Sequence, residues 1–433
     1  MKEDVLPEGW VKTTLADITT MVRGVSYKKD QSSTKYIEGY LPVLRANNIQ
    51  DNQIIFDDLV YVQEHLIKED QKLKVNDIIV AMSSGSKSIV GKTARIEENK
   101  DAGFGAFCGL LRPTNIIDAK LVSQFTQSSY YRNTISALSA GANINNLKPS
   151  HFREIKFPLP PLSEQQYLSQ KLTALLDEVA QTKQRLEAIL ALLKQFRQSV
   201  LADAVSGRLT EEWRKVQKFP ITWQSKRIAD LGKIFSGKTP SKSNASYWNN
   251  GSIYWVSAKD MKSDEIVSSG DLITENAVKE TKLKICPKET ILMVMRSGII
   301  SHSFPVAITN VEVTINQDLK ALLPRTDLVI PKFVFYLFKG NERKILDSCS
   351  KSGTTVASIE MPLFEKFEFR IPSIEEQTQI VQKIETYFAL ADAIETQVEA
   401  ALENVNLLTQ SILAKAFSGE LSAEWRKENS QLI

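Results

Sequence analysis

The chain has 433 residues, and at about 150 residues per domain more than one folded unit is expected. Apolar residues make up 42% and charged residues 24%, which argues against a disordered or fibrous chain. With 54 basic and 51 acidic side chains the net charge is +3, so bulk charge cannot hold nucleic acid and any basic surface must be local.

The opening stretch, Lys2-Glu3-Asp4 to Pro7, places acids and a proline where a signal peptide needs an apolar core. No run approaches the ~18 apolar residues of a membrane span, so a cytoplasmic location with no membrane partner is expected. Residues 1–158 mix short β-type runs, such as Leu41-Pro42-Val43-Leu44 and Ile78-Ile79-Val80, with polar, Gly-rich loops, the pattern of an α/β head. Its polar clusters offer Arg45, Asn47, Asn48, Ser84, Lys87, Lys92, Asn143 and Asn145 as candidate DNA contacts. Lys and Arg neutralise phosphates, Gly/Ser loops let backbone N–H groups approach them, and Arg or Asn can bond base edges in bidentate fashion.

Two enzyme motifs in this head fail on context. Ser86 to Thr93 (SKSIVGKT) resembles a phosphate-binding loop with its first Gly replaced. The residues after Lys92-Thr93 lead into Gly103 and Gly105 and not into the helix that would have to hold the phosphate. Glu154-Ile155-Lys156 ends like a metal-nuclease motif but has no well-spaced partner Asp. Cys108, Cys286 and Cys349 are scattered and read as small core residues, and neither they nor His65, His151 and His302 have zinc-site spacing.

Residues 159–214 form a long helix with Leu168, Leu172, Leu175, Val179, Thr182, Leu186, Ile189, Leu193, Phe196 and Val200 in alternating steps of four and three, a heptad seam. Pro160-Pro161 with Ser163 as N-cap starts it and Ser206-Gly207 stops it, giving a rod of roughly 65 Å. A second head follows over 215–371, with runs such as Ile253 to Val256 and Ile291 to Met295 and the candidate contacts Lys238, Lys242, Tyr247, Lys259, Arg296 and Thr354. A second long helix over 372–428 repeats the seam from Ile380 to Ile412 after Pro372 and the N-cap Ser373, and 429–433 are a tail.

The chain is therefore written twice. Leu162 to Arg214 aligns without a gap with Ile374 to Arg426, 212 residues later. Glu164-Gln165 returns as Glu376-Gln377, and Glu212-Trp213-Arg214 as Glu424-Trp425-Arg426. Upstream, Pro7, Trp10, Ala16-Asp17 and Gly24 return as Pro220, Trp223, Ala229-Asp230 and Gly237. Two seams in one chain predict mutual pairing, and connectivity makes it antiparallel. The fold class expected is α+β: two globular α/β heads at opposite ends of a long antiparallel two-helix coiled-coil spacer, an internal duplication about a pseudo-twofold axis.

Leu6-Pro7-x-x-Trp10, the head closing in Phe157-Pro158-Leu159-Pro160-Pro161-Leu162, Glu164-Gln165, and the helix ending Ser206-Gly207-x-Leu209 and Trp213-Arg214 occur together and then again. In this the whole chain resembles the specificity subunits of type I restriction-modification systems. The resemblance implies that each head is a target recognition domain for one half of a bipartite, asymmetric site in double-stranded DNA. It implies two copies of a modification (methyltransferase) subunit along the spacer and restriction (translocase-nuclease) subunits beside them. It places S-adenosylmethionine, ATP and Mg in those partners, with no cofactor in this chain; adenine methylation and ATP-dependent cleavage would belong to the assembled complex. No Asn-Pro-Pro-aromatic tetrapeptide of an amino-methylating enzyme and no catalytic constellation occurs here. The other readings are a noncatalytic coiled-coil scaffold with protein- or glycan-binding heads, and a nucleotide hydrolase built on Lys92-Thr93.

Overall fold

The computed structural model describes residues 6–140, 144–217, 223–351 and 356–432, so the candidates Asn143 and Thr354 lie outside the described residues. Two compact units divide the chain: Met1–Leu186 with Ala400–Ile433, and Glu187–Glu399. Each takes one head and a part of both long helices.

In the first unit, Val11–Thr14 pairs antiparallel with Lys156–Leu159, tying the two ends of the head together just before the long helix. The apolar run Ile78–Ala81 becomes a central strand, between Thr93–Arg95 and Cys108–Pro113 with Thr19–Arg23 beyond. All four of its residues are fully buried, as a strand covered on both faces requires. A second sheet orders Gly103–Phe104, Tyr40–Leu44, Val60–Gln63 and Ser32–Ser33.

The second unit repeats the plan. Gln224–Arg227 pairs with Glu368–Ile371, Ile291–Val294 is the fully buried central strand, and Asp271–Ile273, Ile253–Val256 and Val313–Ile315 form the second sheet. The echo of Gly24 in Gly237 has a steric cause. A Cβ would lie 2.1 Å from Gly105 O at the first and 1.9 Å from Ile315 O at the second, so only glycine lets the two backbones meet.

The long helices span Leu162–Ser206 and Ile374–Phe417. Gly207 (φ 84°) and Gly419 (φ 79°) follow them in the left-handed conformation that stops a helix. Ser373 caps the second, accepting from Glu376 N at 3.4 Å. The first begins one residue earlier than its expected cap. Ser163 sits inside its first turn, and Pro161 O accepts from Gln165 N, because the second proline occupies the position that Ser373 holds in the repeat.

Antiparallel pairing is seen in each unit. In the second, Arg197 reaches Asp392 at 2.6 Å and Glu395 at 2.7 Å, and Lys383 Nζ donates to Leu209 O. In the first, Lys171 Nζ donates to Leu421 O. Leu168, Leu172, Leu193 and Val200 are buried, as are Ile380, Ile384, Ala391 and Val398. Thr182, Phe196, Tyr387 and Leu408 of the expected seams are exposed, since one partner helix covers less than a full stripe. Near the end of the second helix the buried positions become Leu413, Ala416 and Phe417, which leave the seam to join the first head's core. Phe417 meets Phe125 edge-on at 5.1 Å.

The repeated polar residues build one clasp per unit. In the first, the buried Glu164 accepts from Trp10 Nε1 (2.8 Å), Ser422 Oγ (2.5 Å) and Arg426 (2.5 Å). In the second, Glu376 accepts from Thr210 Oγ1 (2.6 Å), Arg214 and Trp223 Nε1 (3.2 Å). Gln165 ties the same turn to Ile116 O and Asp118 N, and Gln377 to Leu328 O and Ile330 N. Each clasp thus joins the start of one repeat's helix to the end of the other's.

Candidate nucleic-acid interface

In the first head the central strand runs out into Met82 to Gly85, where three backbone segments are bonded side by side. Met82 N donates to Phe107 O (2.8 Å), Leu147 N donates to Met82 O (2.7 Å), and Ser83-Ser84 pairs antiparallel with Asn146-Asn145. This brings Ser84, Lys87, Lys92 and Asn145 into one loop system. Arg132 braces it by donating to Ser88 O and Val90 O, both at 3.0 Å. Lys87 and Lys92 are exposed and Ser84 is half-buried. Asn145 is buried, and its amide NH₂ is directed at Ser84 O and Gly85 O, so it organises the loop from beneath.

Arg45, Asn47 and Asn48 form a separate group on the far side of the Gly105 to Cys108 turn, whose Gly105 N donates to Leu44 O. Arg45 reaches Asp58 Oδ2 at 2.9 Å and exposed Asn47 reaches it at 3.0 Å. Asn48 is buried, and its amide is spent on Ile55 O and Asp57 O. Residue type alone does not separate such a loop-organising Asn from one that faces a base.

The second head repeats this frame with other side chains. Asn316 N donates to Val256 O and Met295 N to Asp318 O, so the Asn316 to Leu319 turn occupies the place of Gly105 to Cys108. Exposed Arg296 bridges to Ser358. Lys238 is exposed, with Nζ 3.3 Å from Thr281 O, and Thr239 bonds Gln317 on the turn. Lys242 is exposed. Tyr247 donates to Glu280 Oε2 at 2.6 Å, which holds its phenol above the ordinary range. Lys259 donates to Asp271 Oδ2 at 2.8 Å, and its ammonium is likewise held above its usual value.

Thr93 opens the strand Thr93–Arg95, not a helix, and its hydroxyl is buried against Thr126, so Lys92-Thr93 has no phosphate-holding helix N-terminus behind it. Cys108 and Cys286 are buried and their thiols are pushed up to about 12, which leaves them unreactive core residues. Among the described residues no helix is long and apolar enough to cross a membrane.

Two features escaped the sequence reading. The clasp residues were visible as repeats, but their partners lie more than 150 positions away. Phe107 stands out only by exposure, at 71%, on a turn pinned by backbone bonds.

A family model for the type I restriction modification DNA specificity domain matches residues 7–191 and again 220–404. Over its whole length the chain is 40% identical to the specificity subunit of the type I restriction enzyme StySPI of Salmonella potsdam, covering 94% of that protein. It is 39% identical to the EcoKI specificity subunit of Escherichia coli strain K12, again covering 94%. Its fold is similar to a chain solved in work on complex assembly and conformational transition of the type I R-M system (TM-score 0.73, 18% identity, 95% of this chain and 98% of that one). It is also similar to the HsdS subunit of Thermoanaerobacter tengcongensis (TM-score 0.55, 16% identity, 96% and 99%). With its duplicated heads and paired helices, the chain belongs to the type I restriction-modification DNA specificity family, as a specificity subunit that recognises the DNA target and is itself noncatalytic.

Proposed function

We propose that each head reads one half of a bipartite, asymmetric DNA site, and that the helix pair sets the unread gap between the halves. The observation that carries this is a contrast. The clasps at Glu164 and Glu376 are built alike, whereas the loops on the same frame carry different side chains: Ser83 and Lys87 in one head, Arg296 and Ile300 at the matching positions of the other. Like helix ends suit duplicate partners, and unlike loops suit different base sequences. Exposed Lys87, Lys92, Lys238, Lys242 and Arg296 supply phosphate and base contacts, the phosphate share being salt-dependent. Ser84 lines the loop of Lys87, Arg45 and Asn47 form a separate group at Asp58, and Tyr247, Lys259, Asn143 and Thr354 remain further candidate contacts. Asn48 and Asn145 shape the loops instead of touching DNA. Two modification subunits dock along the helices and bring S-adenosylmethionine. Restriction subunits join them with ATP and Mg.

Methylome sequencing of cells that express this chain with its modification partner tests the reading. One split motif is expected. Exchanging residues 1–158 for another head changes only one half of it, and removing one heptad from a long helix changes only the gap. An assembled complex that methylates no split motif, or a head exchange that alters both halves, overturns it.

A further inference from the structure

We propose that Phe107 is a specificity-determining residue of the first head, making an apolar contact with a base of its half-site. The inference rests on the reading of the heads as DNA readers. Large aromatic side chains are ordinarily where this chain buries its surface: Phe104, Phe125, Phe152 and Phe157 of the same head are essentially inaccessible. Phe107 is 71% exposed. Its exposure is not that of a loose loop. Gly105 N donates to Leu44 O at 2.9 Å, Cys108 N closes the turn on Gly105 O at 2.8 Å, and Phe107 O itself accepts from Met82 N at 2.8 Å. A backbone fixed on both sides presents this ring to solvent at little further cost in conformational entropy.

The surroundings are those of a nucleic-acid face. Met82, bonded to Phe107, leads into Ser83 and Ser84, which pair with Asn146 and Asn145, and exposed Lys87 lies on the same loop. The turn thus carries an apolar ring among hydroxyl, amide and ammonium groups. Such a ring can meet a thymine methyl in the major groove or wedge between base steps. The second head supplies the control. There Met295 N donates to the carbonyl of Asp318, as Met82 N does to that of Phe107, so the same backbone position bears a carboxylate, which also accepts from Asn316 Nδ2 at 3.1 Å. A ring needed by the fold would stand in both copies. A ring needed to read one base sequence stands in one.

The test uses the full chain assembled with its modification partner, selecting sites from duplexes randomised over both half-sites, for the wild type and for Phe107→Ala and Phe107→Leu. In Phe107→Ala, discrimination is expected to fall about ten-fold at one or two adjacent base pairs of one half-site. Phe107→Leu keeps part of it. The other half-site and the dependence of binding on salt stay unchanged, because an apolar contact releases no counterions. Unchanged discrimination at every position in both variants overturns the proposal, as does a loss spread evenly over both half-sites. If the wild-type complex selects no split site, it is the underlying reading of the heads that fails.

Discussion

Glu164 and Glu376 are both fully buried in the first turn of a long helix, and each is held by a tryptophan, a hydroxyl and an arginine, yet they share out their bonds differently. Glu164 uses both oxygens: Oε2 accepts from Trp10, Oε1 from Ser422 and Arg426. Glu376 takes all three donors on Oε1, and among the described residues its buried Oε2 has no hydrogen-bond partner. The same motif therefore makes a fully satisfied clasp in one unit and a partly satisfied one in the other. A buried carboxylate is an asset only while its partners are present, and the cost of losing them depends on how many oxygens they cover.

The largest effect expected comes from removing the cation. Arg426→Ala or Arg214→Ala leaves a carboxylate buried without its counter-charge and costs about 3–5 kcal/mol. Urea unfolding of the full chain measures this, and hydrogen exchange shows which unit loosens; an effect below about 1 kcal/mol would mean the clasp contributes little to holding its unit. Neutralising the acid separates the two clasps. In Glu164→Gln the amide NH₂ must face either Trp10 N–H or the Ser422–Arg426 pair, a donor against a donor, so about 3 kcal/mol is lost. In Glu376→Gln the NH₂ can take the place of the unpartnered Oε2, so about 1 kcal/mol is lost. Equal losses would break the comparison. Next, Trp10→Phe removes a charge-assisted bond at 2.8 Å and costs about 1.5–3 kcal/mol. Trp223→Phe removes a longer bond to an oxygen already served twice and costs about 1 kcal/mol. The smallest effect belongs to Arg197→Ala. Its partner Asp392 is largely exposed and Glu395 is half-buried, so about 1 kcal/mol or less is lost, and the loss shrinks as salt is raised.

Much of the architecture was legible because it is periodic or repeated. The heptad steps from Leu168 to Val200 place one face of the first helix, Ser206-Gly207 marks its end, and the continuous apolar runs at Ile78 and Ile291 become central strands. These signals are local: a helix stripe, a left-handed stop and a doubly buried strand each follow from neighbours a few positions apart. The candidate contacts were less legible. Lys87, Lys92, Lys242 and Arg296 stand in the open, but Asn48 and Asn145, of the same type in the same kind of loop, are buried and spend their amides on backbone carbonyls.

The sequence by itself determined that this is a duplicated chain of two heads and two long amphipathic helices, because repetition and hydrophobic period are properties of residue order. Only the tertiary structure decided that Glu164 closes on Arg426 and not on Arg214 of its own repeat, and that Glu376 closes on Arg214. It alone decided, too, that Phe107 stands out from a fixed turn while Asp318 holds the matching position. Both depend on which distant backbones lie side by side, and that is fixed by antiparallel packing and cross-strand hydrogen bonds between residues far apart in the chain.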